Sequence, residues 1–521
     1  MTIADWLLTG DERGNPATVL PDWTGNSRAH PVIHGAAYFA ELRERVDATR
    51  SGDLLLFADW RGDPDQRMDD APGGTVSEVL RRAAERGVHV RGLLWRSHWD
   101  KLQFSAQENQ HLGTAVEAAG GQALLDMRVR AGGSHHQKFV VLRHPGRPEL
   151  DVAWVGGIDL CHGRRDDARH GGDAQRQPMA AVYGPRPPWH DAMCRLTGPA
   201  VYDVETVFRE RWEDPQPLSR NPVHRAADLL HHRDTRPRPL PARLPAPPAT
   251  GPHVVQLLRT YGDKLGGYSF APLGERSVAA GYDKALRRVR RLVYVEDQYL
   301  WSAQVARTFA EALRREPGLH LIAVVPPHPD QDGRLSMPPN IVGRQEALEL
   351  LRDAGGDRVA VYGVHNPAGT PVYVHAKVCV MDDVWAAIGS DNVNRRSWTH
   401  DSELSAVVLD QTRDTRTPLD PGGLGDGART YARDLRLELA REHLDADTDD
   451  GLFEPEQVFA RFAASAATLD AWHRDGRRGP RPPGRLRPLL DPPVIGWRRV
   501  WSGALYRTLY DPDGRRRSDR P

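Results

Sequence analysis

Two short motifs of one type stand 239 residues apart, His136-Gln137-Lys138 and His375-Ala376-Lys377. Each heads an apolar run, Phe139-Val140-Val141-Leu142 in one case and Val378-Cys379-Val380-Met381 in the other. Side chains at i and i+2 of an extended chain point to one face, so each imidazole shares a face with an ammonium group. Such a couple suits nucleophilic or acid–base work beside a fixed positive charge, because histidine titrates near neutrality. One copy carries little weight, since a lone histidine is more often a satisfied structural group. Two copies in matching surroundings carry far more. A small-residue turn follows each, Gly156-Gly157-Ile158-Asp159 and Gly389-Ser390-Asp391-Asn392. Small residues there permit close approach of a ligand to the backbone. Each imidazole also needs a carboxylate on its second nitrogen, as in triads generally. Position relative to the following apolar runs nominates Asp191 for His136 and Glu403 for His375.

The elements that must position these groups repeat in order. Asp53 to Ala58 reads as a buried strand, a helical stripe through Val79, Leu80, Ala83 and Ala84 follows, and Val88 to Trp95 is the next strand. A second helix ends at Gly120-Gly121, ahead of a strand at about 122–127 and the first motif. After a Pro-rich stretch the grammar returns: strands at Leu292–Glu296, His320–Val325 and 358–362, helices between them, then the second motif. Strands alternating with helices predict mixed, largely parallel sheets flanked by helices. The expected architecture is therefore α/β, two duplicated halves forming one bilobal unit. The divisions are an N-terminal half over 1–212, a semi-rigid linker over 213–252, a C-terminal half over 253–445 and an extension over 446–521. The last residues, 511–521, read as a disordered polar tail.

Composition sets limits. The 521 residues are too many for one ordinary domain, and 39% hydrophobic content supports a sizeable core. Lys plus Arg and Asp plus Glu both number 70, which argues against a chain built to coat nucleic acid through overall charge. Three scattered cysteines make neither a disulfide framework nor a structural zinc site. The N-terminus has no signal-peptide pattern and no apolar run is long enough to span a bilayer, so the expected compartment is the reducing cytosol.

Over roughly residues 30–445 the sequence resembles the phospholipase D superfamily. The family pattern, His-x-Lys-x4-Asp, then a Gly-Gly or Gly-Ser turn and an Asn, is met at His375, Lys377, Asp382, Gly389, Ser390 and Asn392. It continues through Asn394-Arg395-Arg396-Ser397 and Asp401-Ser402-Glu403, and Glu296-Asp297-Gln298-Tyr299 looks like the family's preceding strand. In the first half, Gly156-Gly157-Ile158-Asp159, Trp189-His190-Asp191 and Gly198-Pro199-Ala200 look like the branch acting on phosphatidyl lipids. The resemblance implies a phospholipase D-type phosphodiesterase that hydrolyses glycerophospholipids to phosphatidate and free head group, with head-group transfer as a further outcome. The alternatives are a cardiolipin synthase-like phosphatidyltransferase, a nuclease of the same family, and a non-catalytic lipid-binding scaffold. A phosphodiester needs cations and donors where charge spreads in the transition state, a task for Lys138 and Lys377. One imidazole attacks to form a phosphohistidine while the other protonates the leaving alcohol. The resemblance favours His136 as nucleophile and His375 as acid. It also implies supporting roles for Asp382 and substrate contacts from Gly156, Gly157, Asp159, Gly389, Ser390, Asn392 and Asn394.

One departure stands out. The Asp expected five residues after Lys138 is Arg143, and 18 positions separate Lys138 from Gly156 against 12 from Lys377 to Gly389. Asp151, beyond that inserted loop, is the stand-in to test. This chemistry calls for no metal and no cofactor, and neither His135-His136 nor His231-His232 has carboxylates or cysteines at ligand spacing. Trp60, Trp95, Trp99, Tyr299, Trp301 and Trp398 are candidates for an apolar rim, and Trp497-Arg498-Arg499-Val500-Trp501 for a C-terminal segment packed on the body or anchored at an interface. The expected partner is a phospholipid at a membrane surface, met by a monomer with no stable nucleic-acid partner.

Overall fold

A computed structural model describes residues 2–97, 106–300, 302–331, 337–489, 502–516 and 518. The apolar runs become buried strands. The first half contributes β1 (Thr24–Ile33), β2 (Leu54–Asp59), β3 (His89–Trp95), β4 (Gln122–Asp126), β5 (Phe139–Arg143), β6 (Val152–Gly156), β7 (Trp189–His190) and β8 (Ala192–Thr197). The second contributes β9 (His253–Tyr261), β10 (Glu275–Arg276), β11 (Leu292–Glu296), β12 (His320–Val324), β13 (Val359–Val364), β14 (Tyr373–Val374), β15 (Val378–Met381), β16 (Trp385–Gly389), β17 (Glu403–Asp410) and β18 (Leu486–Pro488).

Strand order states the duplication plainly. The first half runs β1-β8-β6-β5-β2-β3-β4 and the second β9-β17-β16-β15-β11-β12-β13, position for position. The two are not separate sheets. β1 pairs antiparallel with β9, placing Thr24 opposite Val255 and Ser27 opposite His253 with a register shift between them, so one sheet continues from one half to the other. Parallel pairing within this sheet is confined to β2-β3-β4 and β11-β12-β13, where helical crossovers return the chain in the same direction. Short connections such as 144–151 and 382–384 force antiparallel neighbours, and the sheet is accordingly mixed.

One face of the seam carries a core shared by both halves. Val204, Val207 and Phe208 of the helix Ala200–Trp212 join Leu435, Leu437 and Leu439 of the helix Thr430–Leu444 against residues from both sets of strands. The opposite face is covered separately, by Val79 and Leu80 in one half and by Phe309 and Leu313 in the other. The helix Val76–Glu85 starts as its sequence dictates, with a Thr75–Glu78 capping box satisfying its first amides.

Two expectations need correction. The Pro-rich stretch 213–252 includes a helix, Pro222–Leu230, and is fastened to the first half: Trp212 Nε1 donates to Arg238 O (2.9 Å) and Arg209 to Pro241 O (2.9 Å). Polar tail residues are also held. Asp511 is buried, accepts from Tyr506 Oη (2.8 Å) and from the amide of Arg396 (2.7 Å), and the Gly514 amide donates to Thr399 Oγ1 (2.9 Å). Arg395 and Arg396 supply the positive charge that makes an acidic tail residue worth burying. Trp497 to Trp501 lie outside the described residues.

Candidate active site

Each motif is held in place by the other half of the chain. The two-residue strands β7 and β14 pair in parallel, Tyr373 opposite Trp189 and Val374 opposite His190, and the amide of His375 donates to His190 O (2.7 Å). On the pseudo-symmetric side His135 bridges Ser402, and the amide of His136 donates to Ser402 O (2.9 Å). Asp191 follows His190 and Glu403 follows Ser402, so these clamps deliver one carboxylate to each imidazole. The delivery is crossed. His375 Nδ1 lies 2.7 Å from Asp191 Oδ2, and His136 Nδ1 lies 2.9 Å from Glu403 Oε2. The pairing expected from sequence, Asp191 with His136 and Glu403 with His375, is thus reversed. Order along the chain places each carboxylate after its own half's motif, whereas the parallel clamp hands it across.

The lysines close the group. Lys138 Nζ donates to His136 O (2.8 Å) and lies 3.6 Å from Asp159. Lys377 Nζ donates to His375 O and to Gln298 Oε1 (3.3 Å). The two motifs act on each other through their charges. Burial pushes both imidazoles well below the usual histidine range, and the charges of Lys138 and Lys377 depress each of them further. Burial also brings Lys377 down to about 8. Burial and the neighbouring Asp401 push Glu403 up to about 8, and burial raises Asp191. His136 keeps some access to solvent, with its side chain 14% exposed, whereas that of His375 is buried at 6%.

The turns act on protein groups. A Cβ on Gly157 would overlap the Asp191 carboxylate, and one on Gly389 would overlap Ser405 Oγ; glycine admits a neighbouring strand or carboxylate, where a ligand was expected. Gly156 likewise sits against Ala192 and Met193. Ser390 Oγ donates to Glu403 Oε2 (2.5 Å), Asn394 Oδ1 caps the helix Arg395–Thr399 through the amide of Ser397 (2.8 Å), and Asn392 Nδ2 lies 3.5 Å from Ser397 Oγ. Asp382 stands apart, at the far end of β15. Its carboxylate accepts the amides of Arg290 (2.7 Å), Arg291 and Leu292 (both 2.9 Å), tying the start of β11 to the motif strand. Asp151 does not take over that role. It is the counter-ion of Arg143 (2.8 Å) and accepts the amide of His144 (2.7 Å), while Arg143 also reaches Glu205, all of them buried.

Sequence reasoning missed several neighbours. Asp59 and Asp297 end the equivalent strands or follow them, and each accepts an amide from the turn after its half's motif, Leu160 (3.1 Å) and Val393 (3.0 Å). Burial raises both; Asp59 is driven up further by Asp159. Their repetition at matching points was the available signal. Arg164 lies over the Trp189 ring at 3.8 Å, and Trp189 packs on His375 with ring centres 4.8 Å apart. Of the rim candidates, Trp95 and Trp398 belong to the core, where Trp398 packs on Tyr282. Trp60 stands near the gap, with its ring 6.3 Å from that of His136, and half-buried Tyr299 accepts from Gln298 Nε2 (2.9 Å). Trp99 and Trp301 lie outside the described residues.

The family model for phospholipase D matches residues 65–227, which include the first motif, its turn and Asp191. Phospholipase D alpha 1 of Cynara cardunculus is 26% identical over 504 residues, covering 74% of this chain and 60% of its own length. Phospholipase D alpha 1 of Vigna unguiculata is 27% identical over 459 residues, 66% of this chain and 56% of its own length. These matches take in both motifs and the carboxylates that face their imidazoles. The chain is similar to phospholipases D over most of its length. It spans about 60% of the length of the curated relatives it matches. The crystal structure of phosphatidylserine synthase from Haemophilus influenzae Rd KW20 aligns with a TM-score of 0.48 and 14% identity, over 75% of this chain and 84% of that one.

Proposed function

We propose that this chain is a phospholipase D-type phosphodiesterase, hydrolysing glycerophospholipids to phosphatidate and free head group. The observation that carries the reading is the crossed constellation, two imidazole–carboxylate pairs and two ammonium groups around one gap. In this reading Lys138 and Lys377 hold the non-bridging oxygens of the phosphodiester. His136 Nε2 attacks phosphorus as the bond to the head-group oxygen breaks, and His375 gives that oxygen its proton. Glu403 stabilises the positive charge that forms on His136, and Asp191 orients His375. His375 then takes a proton from water, the water oxygen attacks phosphorus, and the His136–phosphorus bond breaks to release phosphatidate. An anionic substrate offsets the two lysines, so its arrival raises the basicity that burial and those lysines had lowered.

The reading extends to a monomer that meets its lipid peripherally at a cytoplasmic membrane surface, built on the two halves 1–212 and 253–445 and needing no nucleic acid. It is supported by balanced charge and by the fact that, among the described residues, no helix is long and apolar enough to cross a membrane. The test is release of choline from phosphatidylcholine vesicles by the purified chain, repeated with a primary alcohol to capture the phosphatidyl group. His136→Ala and His375→Ala should each lose at least ~100-fold in rate. Acid-quenched enzyme should carry phosphate on His136. Near-full rate in either variant overturns the mechanism, and phosphate on His375 reverses the assignment of nucleophile and acid.

A further inference from the structure

Directly behind Asp191 lies a buried group that the phosphodiesterase chemistry does not use. His34 at the end of β1, His170 in the loop before β7, and His190 surround the carboxylate of Glu442 from the helix Thr430–Leu444. His34 Nε2 is 2.7 Å from Glu442 Oε2, while His170 Nε2 and His190 Nδ1 are 2.9 Å and 3.5 Å from Oε1. The far nitrogens decide what these atoms present. His170 Nδ1 faces the carbonyl oxygen of Trp189 at 3.1 Å, which accepts only, so this nitrogen bears the hydrogen. His190 Nε2 faces Glu296 at 2.6 Å, and Glu296 already takes His443 Nε2 (2.7 Å) and the hydroxyl of Tyr294, so Nε2 bears the hydrogen there too. In their neutral forms His170 and His190 therefore turn lone pairs, not hydrogens, towards the Glu442 carboxylate. Lone pairs facing a carboxylate in a dry site repel unless a positive charge lies between them. Outer partners that fix the tautomer of each histidine are also what surround metal-ligating imidazoles.

The rest of the molecule agrees. Glu442 and Glu296 bring two negative charges into this spot, and the nearest fixed cation, Arg485, stands 3.7 Å from Glu442 while shared with Asp445. On the pseudo-symmetric side, the place behind Ser402 is filled by a permanent cation: Arg211 donates to Ser402 Oγ (2.9 Å) and to Asp126 (2.7 Å). No such arginine stands behind His190, and His190 Nδ1 and His34 Nδ1 have no hydrogen-bond partner among the described residues.

We propose that His34, His170, His190 and Glu442 bind one divalent transition-metal ion of the zinc type, four-coordinate through three imidazole nitrogens and one carboxylate oxygen. Ligand atoms of such a site stand ~3.3 Å apart, so small side-chain rotations suffice to admit the ion. The ion joins three ligands of the first half to one of the second, and its role is positional. His190 carries both Asp191 and the carbonyl that accepts the amides of His375 (2.7 Å) and Ala376 (3.1 Å). Protons are the competing solution: against its burial, His190 is raised to about 10 by Glu296 and Glu442.

The test needs no lipid. Full-length protein, produced with zinc supplied, purified without chelator and dialysed against metal-free buffer, should retain one zinc per chain by mass spectrometry. Cobalt(II) in its place should give the intense visible bands of a tetrahedral nitrogen–oxygen site. His170→Ala and Glu442→Gln should each lose the metal. The proposal is overturned if the unaltered protein holds no stoichiometric metal and gives no tetrahedral cobalt spectrum, the result expected of a proton-filled cluster. It is equally overturned if folded variants retain the unaltered content; should a variant fail to fold, the cobalt spectrum of the unaltered protein still decides.

Discussion

At the residue scale, the crossing of carboxylates makes distinguishable demands on the two histidines. Asp191→Asn acts on His375, the proposed acid, so it should matter little for the first-turnover burst of an aryl leaving group, which departs without a proton, although His375 is still needed as base for the later hydrolysis. Glu403→Gln acts on His136 and should cost ~100-fold or more with both alkyl and aryl esters. A stopped-flow comparison of choline release with p-nitrophenol release checks this, and equal losses for both variants on both substrates would contradict it. The same pairs set a pH profile. With Glu403 raised to about 8 and His136 depressed, the pair keeps an extra proton on Glu403 at neutral pH; that carboxyl donates to Nδ1 and leaves the imidazole's own hydrogen on the attacking Nε2. Loss of that proton activates the nucleophile, so kcat/KM should rise with pH towards about 8. Lys377, brought down to about 8 by burial, loses its charge on the other side, so kcat/KM should then fall. With an aryl ester, which needs no proton from His375, the expected result is a narrow bell centred near 8, whose rising limb moves in Glu403→Gln.

At the element scale, the two halves solve one problem differently. Asp382 ties β15 to β11 through three amides, whereas the first half replaces that anion with Arg143, matched by Asp151 and Glu205. Arg143→Leu leaves two buried carboxylates short of a counter-charge and should cost ~3 kcal/mol in urea denaturation. Arg143→Asp, which restores the family residue, should cost more because three acids then meet. Activity per folded molecule should stay close to the original in Arg143→Leu, since none of these groups touches the motif residues. Much of this architecture was legible in advance. The period of the apolar runs gave the strands, and the repeated order of strand, helix and motif gave the duplication. The partners were not legible: nothing in the spacing of Asp191 from His136 shows that a parallel clamp between β7 and β14 carries it to His375. From the sequence Gly157 reads as room for a ligand, because a sequence shows that space is needed, not what fills it. The fastened tail was missed for a similar reason, since Asp511 looks solvated until Arg395 and Arg396 are seen beneath it.

At the scale of the whole molecule, the seam between β1 and β9 and the shared core make the halves one body. Mixing equal amounts of His136→Ala and His375→Ala protein should therefore restore no choline release, because each chain builds its own single site; recovery of rate would reveal exchange of halves between chains. The crossing reaches further than activity. A solitary half could complete its histidine only with a carboxylate borrowed from a second copy, which means a symmetric homodimer with each subunit lending to the other. Joining the copies through residues 213–252 makes that loan permanent and removes the symmetry requirement. Once fused, the halves are free to drift apart in character, an arginine here and an aspartate there, but neither can be discarded without disarming the other.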